Sequence, residues 1–271
     1  MAIADKVKVG CSGWSYKDWA GPFYQTDLPA RDYLKFYSRV FNCVEIDSSF
    51  YRIPNQFMIE QWKRATPDGF VFSPKLPKKI THDNKLENFE STLTYFYSVM
   101  GKLGEKLGPI VVQLPPSVKA EKHMATMERF VGSLSQKYHH TIEFRHKSWF
   151  TPQVYKLLET NNVAMTWSLN QYLETPPEVT ARFVYLRMVG ERDITNFGAK
   201  QKDRDDDMQR WASNLEEKGE SFDDAYVFFN NHFAGFGPES VNEFRRLLGM
   251  IELDWDKERG SGPKQGTLTG F

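Results

Sequence analysis

Cysteine is scarce in this chain, with 2 residues among 271. That excludes a disulfide scaffold, and the sequence lacks the tight ligand spacing of zinc motifs. Cys11 and Cys43 fall in neighbouring strand-like runs but in opposite side-chain phases, so two reduced thiols are expected rather than a bridge. Net charge is also missing. Lys plus Arg and Asp plus Glu number 35 each, which excludes global steering toward polyanions and leaves only a local patch to grip nucleic acid. No apolar run approaches the roughly 18 residues needed to span a bilayer, so a cytoplasmic protein is expected. A dinucleotide fingerprint is absent too: Gly10-Cys11-Ser12-Gly13-Trp14 lacks the third glycine and continues into bulky aromatics.

What the chain does contain is eight short apolar runs: Val7 to Cys11, Cys43 to Asp47, Phe70 to Lys75, Ile110 to Leu114, His140 to Arg145, Val163 to Trp167, Arg182 to Met188 and Tyr226 to Asn231. Most are separated by stretches of helical apolar spacing, such as Tyr33, Leu34, Tyr37, Val40 and Phe41. Alternating strands and helices imply parallel strands with helical crossovers, and eight such units in about 250 residues predict a single (β/α)8 TIM barrel over residues 1–250. A flexible tail is expected over 251–271.

In a barrel the apolar phase of each strand faces the helices, leaving the alternate phase for the bore. That rule turns Glu45, Asp47, Lys75, Gln113, Glu143, Arg145, Arg187 and Asn230 inward. Three acids and three bases among these eight lie at the carboxyl ends of their strands, where barrel enzymes place catalytic groups. The competing reading is a structural ion-pair network that plugs the bore, since buried charges must pair, hydrate or bind something. The connections that emerge beyond the same strand ends add His82, Lys85 and His146. They also add the aromatics Trp14, Tyr16, Phe50, Tyr51 and Trp149, of which about half are expected to be core lids.

Five strings, in order, resemble the YecE-like family, a domain of unknown function: Val9 to Tyr16, Val44 to Arg52, Gln113 to Pro116, Glu143 to Trp149 and Phe229 to His232. The resemblance implies a TIM barrel and carries no catalytic assignment. Asp47 stands where relatives often carry Asn, and Val189 where a histidine is common. Both departures tell against a mechanism that needs a fixed histidine after the seventh strand.

Phosphate recognition heads the chemistry these residues could perform, with Arg187, Asn230 and Asn231 after the last two strands and Lys75 and Arg145 completing an anion clamp. Glu143 or Glu45, with Asp47 nearby, would then act as general base and His146 or His82 as proton donor. Trp14, Tyr51 and Trp149 would stack on substrate. This describes a hydrolase for a phosphate-containing substrate such as DNA. The alternatives are a sugar or sugar-phosphate enzyme and a non-catalytic adaptor. A divalent metal would draw on Glu45, Asp47, Glu143 and His232.

After Leu248 the periodicity gives way to charge, Gly, Ser and Pro. The chain ends in Lys264-Gln265-Gly266-Thr267-Leu268-Thr269-Gly270-Phe271, which resembles a sliding-clamp (PCNA) interaction peptide in Gln265, Leu268 and Phe271. One helical turn would bring Leu268 and Phe271 together as a plug for an apolar pocket. Deleting Gln265 to Phe271 is therefore expected to abolish clamp binding in a pull-down or titration, and unchanged binding would end that reading.

Overall fold

The computed structural model describes residues 2–170 and 173–260, and the candidate clamp residues Gln265, Leu268 and Phe271 lie outside that range. The expected runs become parallel strands: β1 (Val7–Ser12), β2 (Cys43–Ile46), β3 (Val71–Pro74), β4 (Ile110–Gln113), β5 (His140–Glu143), β6 (Val163–Met165), β7 (Trp167–Asn170), β8 (Leu173–Glu174), β9 (Phe183–Gly190) and β10 (Asp224–Phe229). Among the described residues only β8, which lies outside the expected runs, is antiparallel, pairing with β7.

The hydrogen-bonded order runs β3-β2-β1-β10-β9-β7-β8 in one sheet and β4-β5-β6 in another. Two seams join them into a ring. At the first, β3 meets the chain at β4 through Gly108 N to Phe72 O and Leu76 N to Val111 O, both at 2.8 Å. At the second, the sixth stave changes partner at Thr166: Val163 to Met165 pair with β5, and from Trp167 onward the strand pairs with β9. The result is an eight-staved parallel α/β barrel.

Strand alternation divides the apolar side chains as a barrel requires. Cys43, Val71, Val111, Ala164, Phe183, Tyr185 and Phe228 form one buried cluster inside the bore. The opposite phase, including Val9, Cys11, Val44, Ile46, Phe72, Ile142 and Val227, belongs to the larger cluster beneath the helices. Cys11 and Cys43 thus sit on opposite sides of the wall as free thiols. At β1 the wall is thin because Gly10 faces β2 directly. A Cβ there would lie 2.3 Å from Cys43 O, so only glycine fits.

Helix Tyr33–Val40 presents Tyr33, Leu34, Phe36, Tyr37 and Val40 to the wall. Its Tyr37 hydroxyl donates to Cys43 O and accepts from Cys11 N, each at 2.9 Å, tying the helix to two staves where they diverge. Among the described residues no helix is long and apolar enough to cross a membrane.

The barrel's outer layer extends further than the sequence boundary at 250. Trp255–Gly260 is helical, and Trp255 packs edge-on against Phe23 at 5.6 Å while its Nε1 donates to Pro22 O at 3.0 Å. Asn242 holds the approach, donating to Leu253 O and accepting from Leu253 N, both at 2.8 Å. Expected tail residues up to Gly260 therefore dock on the barrel, because a tryptophan in the charged stretch finds an aromatic cluster to cover. Trp255→Ala is expected to lower the unfolding free energy by about 1–2 kcal/mol, measured by denaturant titration.

Candidate active site

Arg187, near the end of β9, is the floor of the barrel mouth. Its Nε and Nη2 donate to Glu45 Oε2 and Oε1 at 2.7 and 2.9 Å, a bidentate fork. Its Nη1 donates to Glu143 Oε2 and, at 3.4 Å, to Gln113 Oε1. Glu45 also accepts from Ser12 Oγ at 2.8 Å and Tyr185 OH at 3.0 Å, which fills its acceptor sites. Register explains the convergence: Ser12 lies opposite Glu45, Gln113 opposite Glu143 and Ser168 opposite Arg187 across the ladders.

Two further ion pairs rise from this floor toward the mouth. Lys75 Nζ lies 2.5 Å from Asp47 Oδ1 and 3.6 Å from Glu45 Oε1. Arg145 Nε donates to Glu143 Oε1 at 2.9 Å. Glu45 and Glu143 have no exposed surface, and the Arg187 side chain is 2% exposed. Burial alone would raise both carboxyls. For Glu45 the charges of Arg187 and Lys75 overrule it and hold the group at about 2. For Glu143 those of Arg187, Arg145 and Lys75 do the same, again to about 2. Arg187 is driven the other way, well above its ordinary value, since Glu143 and Glu45 outweigh its burial.

A cavity of about 490 Å³ opens above the floor. Among the described residues Lys75, Arg145, Arg187 and Arg192 line it against one carboxylate, Asp47. His82, Asn230, Asn231 and His232 complete its polar wall, and Tyr16, Phe50, Tyr51 and Phe197 its aromatic rim. Each histidine stands edge-on to a phenylalanine: His82 to Phe50 at 4.9 Å and His232 to Phe197 at 5.0 Å. Burial, then the neighbouring cation, lowers each imidazole below its usual range, with Arg145 acting on His82 and Arg192 on His232. Both rings are therefore neutral at pH 7. A depression of about 560 Å³ on the flank, between helix Gly237–Leu247 and residues 252–256, contains none of these groups.

The structure separates the residues singled out from sequence. Asp47, Lys75, His82, Arg145, Arg187, Asn230, Asn231, His232 and Tyr51 all border the cavity, whereas Glu45 and Glu143 lie sealed beneath it. His146 is not brought to the cavity: its Nδ1 pairs with Ser148 Oγ at 2.9 Å and caps the turn Lys147–Trp149. Trp149 is fully buried against Phe144, and Trp14 packs on Trp62. Trp149 is thereby closed to a ligand, and Trp14, half-buried, is not among the residues that border the cavity. The metal set is divided likewise, because Arg187 occupies Glu45 and Glu143. Among the described residues no three His, Cys, Asp or Glu side chains gather as a metal site.

Arg192 and Phe197 were not legible in the sequence. They follow β9 in a connection without strand phase, where alternation carries no information. The available signal was Gly190, whose φ of +70° ends the strand and whose Cβ position lies 2.4 Å from His232 O. That contact presses the connection onto the segment after β10 and brings both residues to the mouth.

Comparison with known proteins agrees on fold and leaves activity open. The model for the family described as "Protein of unknown function DUF72" matches residues 8–263. YecE of Escherichia coli K12 is 27% identical over 144 residues, 53% of this chain, and the match spans 50% of that protein's length. YunF of Bacillus subtilis is 22% identical across 96% of this chain and 98% of its own. A crystal structure of a DUF72 family protein from Thermotoga maritima superposes with a TM-score of 0.78 at 25% identity, covering 90% of this chain and 99% of that one. One from Enterococcus faecalis gives 0.70 at 19%, covering 92% and 98%.

Titration of the buried groups sets the acid stability. Glu45 and Glu143 are held below their ordinary 4.5, so their stabilisation is complete above that pH and is lost as pH falls toward 2. His140, buried with its Nε2 2.7 Å from Tyr97 OH, is lowered by that burial from 6.5 to about 4. The unfolded chain takes up that proton first, so stability falls between pH 6.5 and 4. Unfolding free energies are expected to drop in both windows, at roughly 1.4 kcal/mol per pH unit for each group titrating in the unfolded state alone. His140→Gln should shrink the upper fall and spare the lower one.

Proposed function

The chain belongs to DUF72, a family of unknown function, and we propose that its barrel mouth is an active site for a small substrate joining a phosphate or kindred oxyanion to a sugar-sized ring. The observation that carries the proposal is the cavity lining, four cationic side chains against one carboxylate at the carboxyl ends of the staves. Its volume, about 490 Å³, suits a metabolite rather than a continuous duplex. Tyr16, Phe50, Tyr51 and Phe197 supply ring faces and edges for the body of such a molecule.

Hydrolysis of an ester bond in the body of such a molecule is the chemistry the groups favour. A general base works best with a pKa near the operating pH, which disfavours Glu45 and Glu143 at about 2. Those two hold and neutralise Arg187. His82 is the better base, because its Nδ1 is engaged by Thr81 Oγ1 at 2.8 Å and the neutral ring keeps Nε2 for a water. Lys75, fixed by Asp47, and Arg145, whose Nε alone is tied to Glu143, would stabilise developing negative charge.

A second reading, action on nucleic acid, draws on Lys78, Lys79 and Lys85, which are exposed on the segment that carries His82. A panel of sugar phosphates, nucleotides and single-stranded oligonucleotides, followed by thermal shift and product analysis, separates the two. Turnover of a small ester is expected, with His82→Asn lowering kcat about 100-fold or more at little cost in KM. Replacing Lys78, Lys79 and Lys85 with Glu should leave that turnover intact. A loss confined to oligonucleotide cleavage would favour the second reading, and no response to any member of the panel would overturn the proposal.

A further inference from the structure

Asn231 carries a donor that nothing among the described residues uses. The residue is 2% exposed, and its Oδ1 accepts from Gly237 N at 2.9 Å and Trp19 Nε1 at 3.3 Å. Flipping the amide would set its NH2 against those two donors, so the orientation is fixed. Nδ2 is thereby left buried without an acceptor in a residue that borders the cavity. Buried donors are almost always paired, and an acceptor from a ligand would complete this one.

Arg192 lies on the same side. Gly190 abuts His232 and Phe233, and Arg192 is near enough to depress the His232 imidazole. The acids flanking Arg192 are directed elsewhere: Glu191 pairs with Lys202 and Arg204, and Asp193 with Lys202. Arg192 itself is exposed and borders the cavity.

Charge counting narrows the ligand. Lys75, Arg145 and Arg187 are matched by Asp47, Glu45 and Glu143 through direct ion pairs, three against three. With both histidines neutral, Arg192 is, among the described residues, the one cation lining the cavity that these acids do not offset. We infer that Asn231 Nδ2 and Arg192 form an oxyanion subsite between β9 and β10, and that it takes a singly charged group, a carboxylate or phosphodiester, in preference to a doubly charged phosphomonoester. The inference rests on the substrate reading above and assigns that substrate's charged end and orientation. The ring then extends from Arg192 toward Lys75 and His82.

The test is calorimetric titration of the full chain at pH 8, where both histidines are neutral, with matched probes: glucuronate against glucose 6-phosphate, and cyclic AMP against AMP. The singly charged member of at least one pair is expected to bind 10-fold or more tightly than its doubly charged counterpart. Preference within the first pair identifies a carboxylate, and within the second a phosphodiester. Arg192→Met should weaken that binding at least 10-fold. Asn231→Asp keeps the acceptor for Trp19 and Gly237 and replaces the free donor with an oxygen, so it should abolish binding while circular dichroism stays native. Tighter binding of the doubly charged probes overturns the charge assignment. Affinity that survives both variants yet is lost in Lys75→Met overturns the subsite and leaves the cavity reading standing. No binding by any probe overturns both.

Discussion

A guanidinium cannot shed its proton, so burying Arg187 inside a barrel is tolerable only if carboxylates come with it. Glu45 and Glu143 meet that demand from the second and fifth staves, and the bidentate fork with Glu45 leaves the side chain one orientation. The dependence is mutual. Without Arg187 two carboxylates would be buried above an apolar plug of Tyr185, Phe228 and Val111, and one or both would take up a proton. Three staves are thus fastened to one another at the level where the mouth begins. Loss of one partner of such a buried network leaves a stranded charge, at about 3–5 kcal/mol.

Structural plug and active site are therefore tiers of one arrangement. The lower tier stays ionised around neutral pH with its carboxylates sealed beneath the cavity, which suits a scaffold and ill suits a base. The upper tier, Asp47, Lys75, Arg145 and the two histidines, borders the cavity. Rigidity below gives precision above: Lys75 and Arg145 each touch a floor carboxylate as well as the cavity, so the fixed charges aim the groups that can meet a ligand.

Much of this was legible from residue order. The eight apolar runs became the eight staves, and the alternation that sent Val44 and Ile46 outward placed Glu45 in the bore. Phase is a strong signal because a one-residue slip would bury a charge among the helices. What alternation lacks is depth. It turned Glu45 and Lys75 inward alike and could not tell which lay under a guanidinium and which beside open space. It also fails in connections: Trp149 and Tyr51 look equivalent as aromatics after a strand, yet one is buried on Phe144 and the other is 72% exposed at the rim. The difference depends on which core surface each turn happens to cover.

The connections supply what the staves cannot. Each of the two histidines arrives on a backbone constrained by close contact: His82 precedes Lys85, Leu86 and Asn88, all in the left-handed region, and His232 is pressed by Gly190. Positive φ at a leucine is unfavourable, and here it persists because Leu86 is completely buried and its N donates to Ile80 O at 2.8 Å. The strained turn is thus stapled to the core immediately beyond the cavity wall. A loop free to relax would avoid that conformation, so the staple restricts where His82 can stand relative to Arg145. The same logic acts at the far wall, where glycine alone lets the β9 connection approach the β10 turn closely enough to bring Arg192 beside His232. The ionic floor and these two backbone constraints together define the mouth, the floor by charge pairing across staves and the walls by packing between connections.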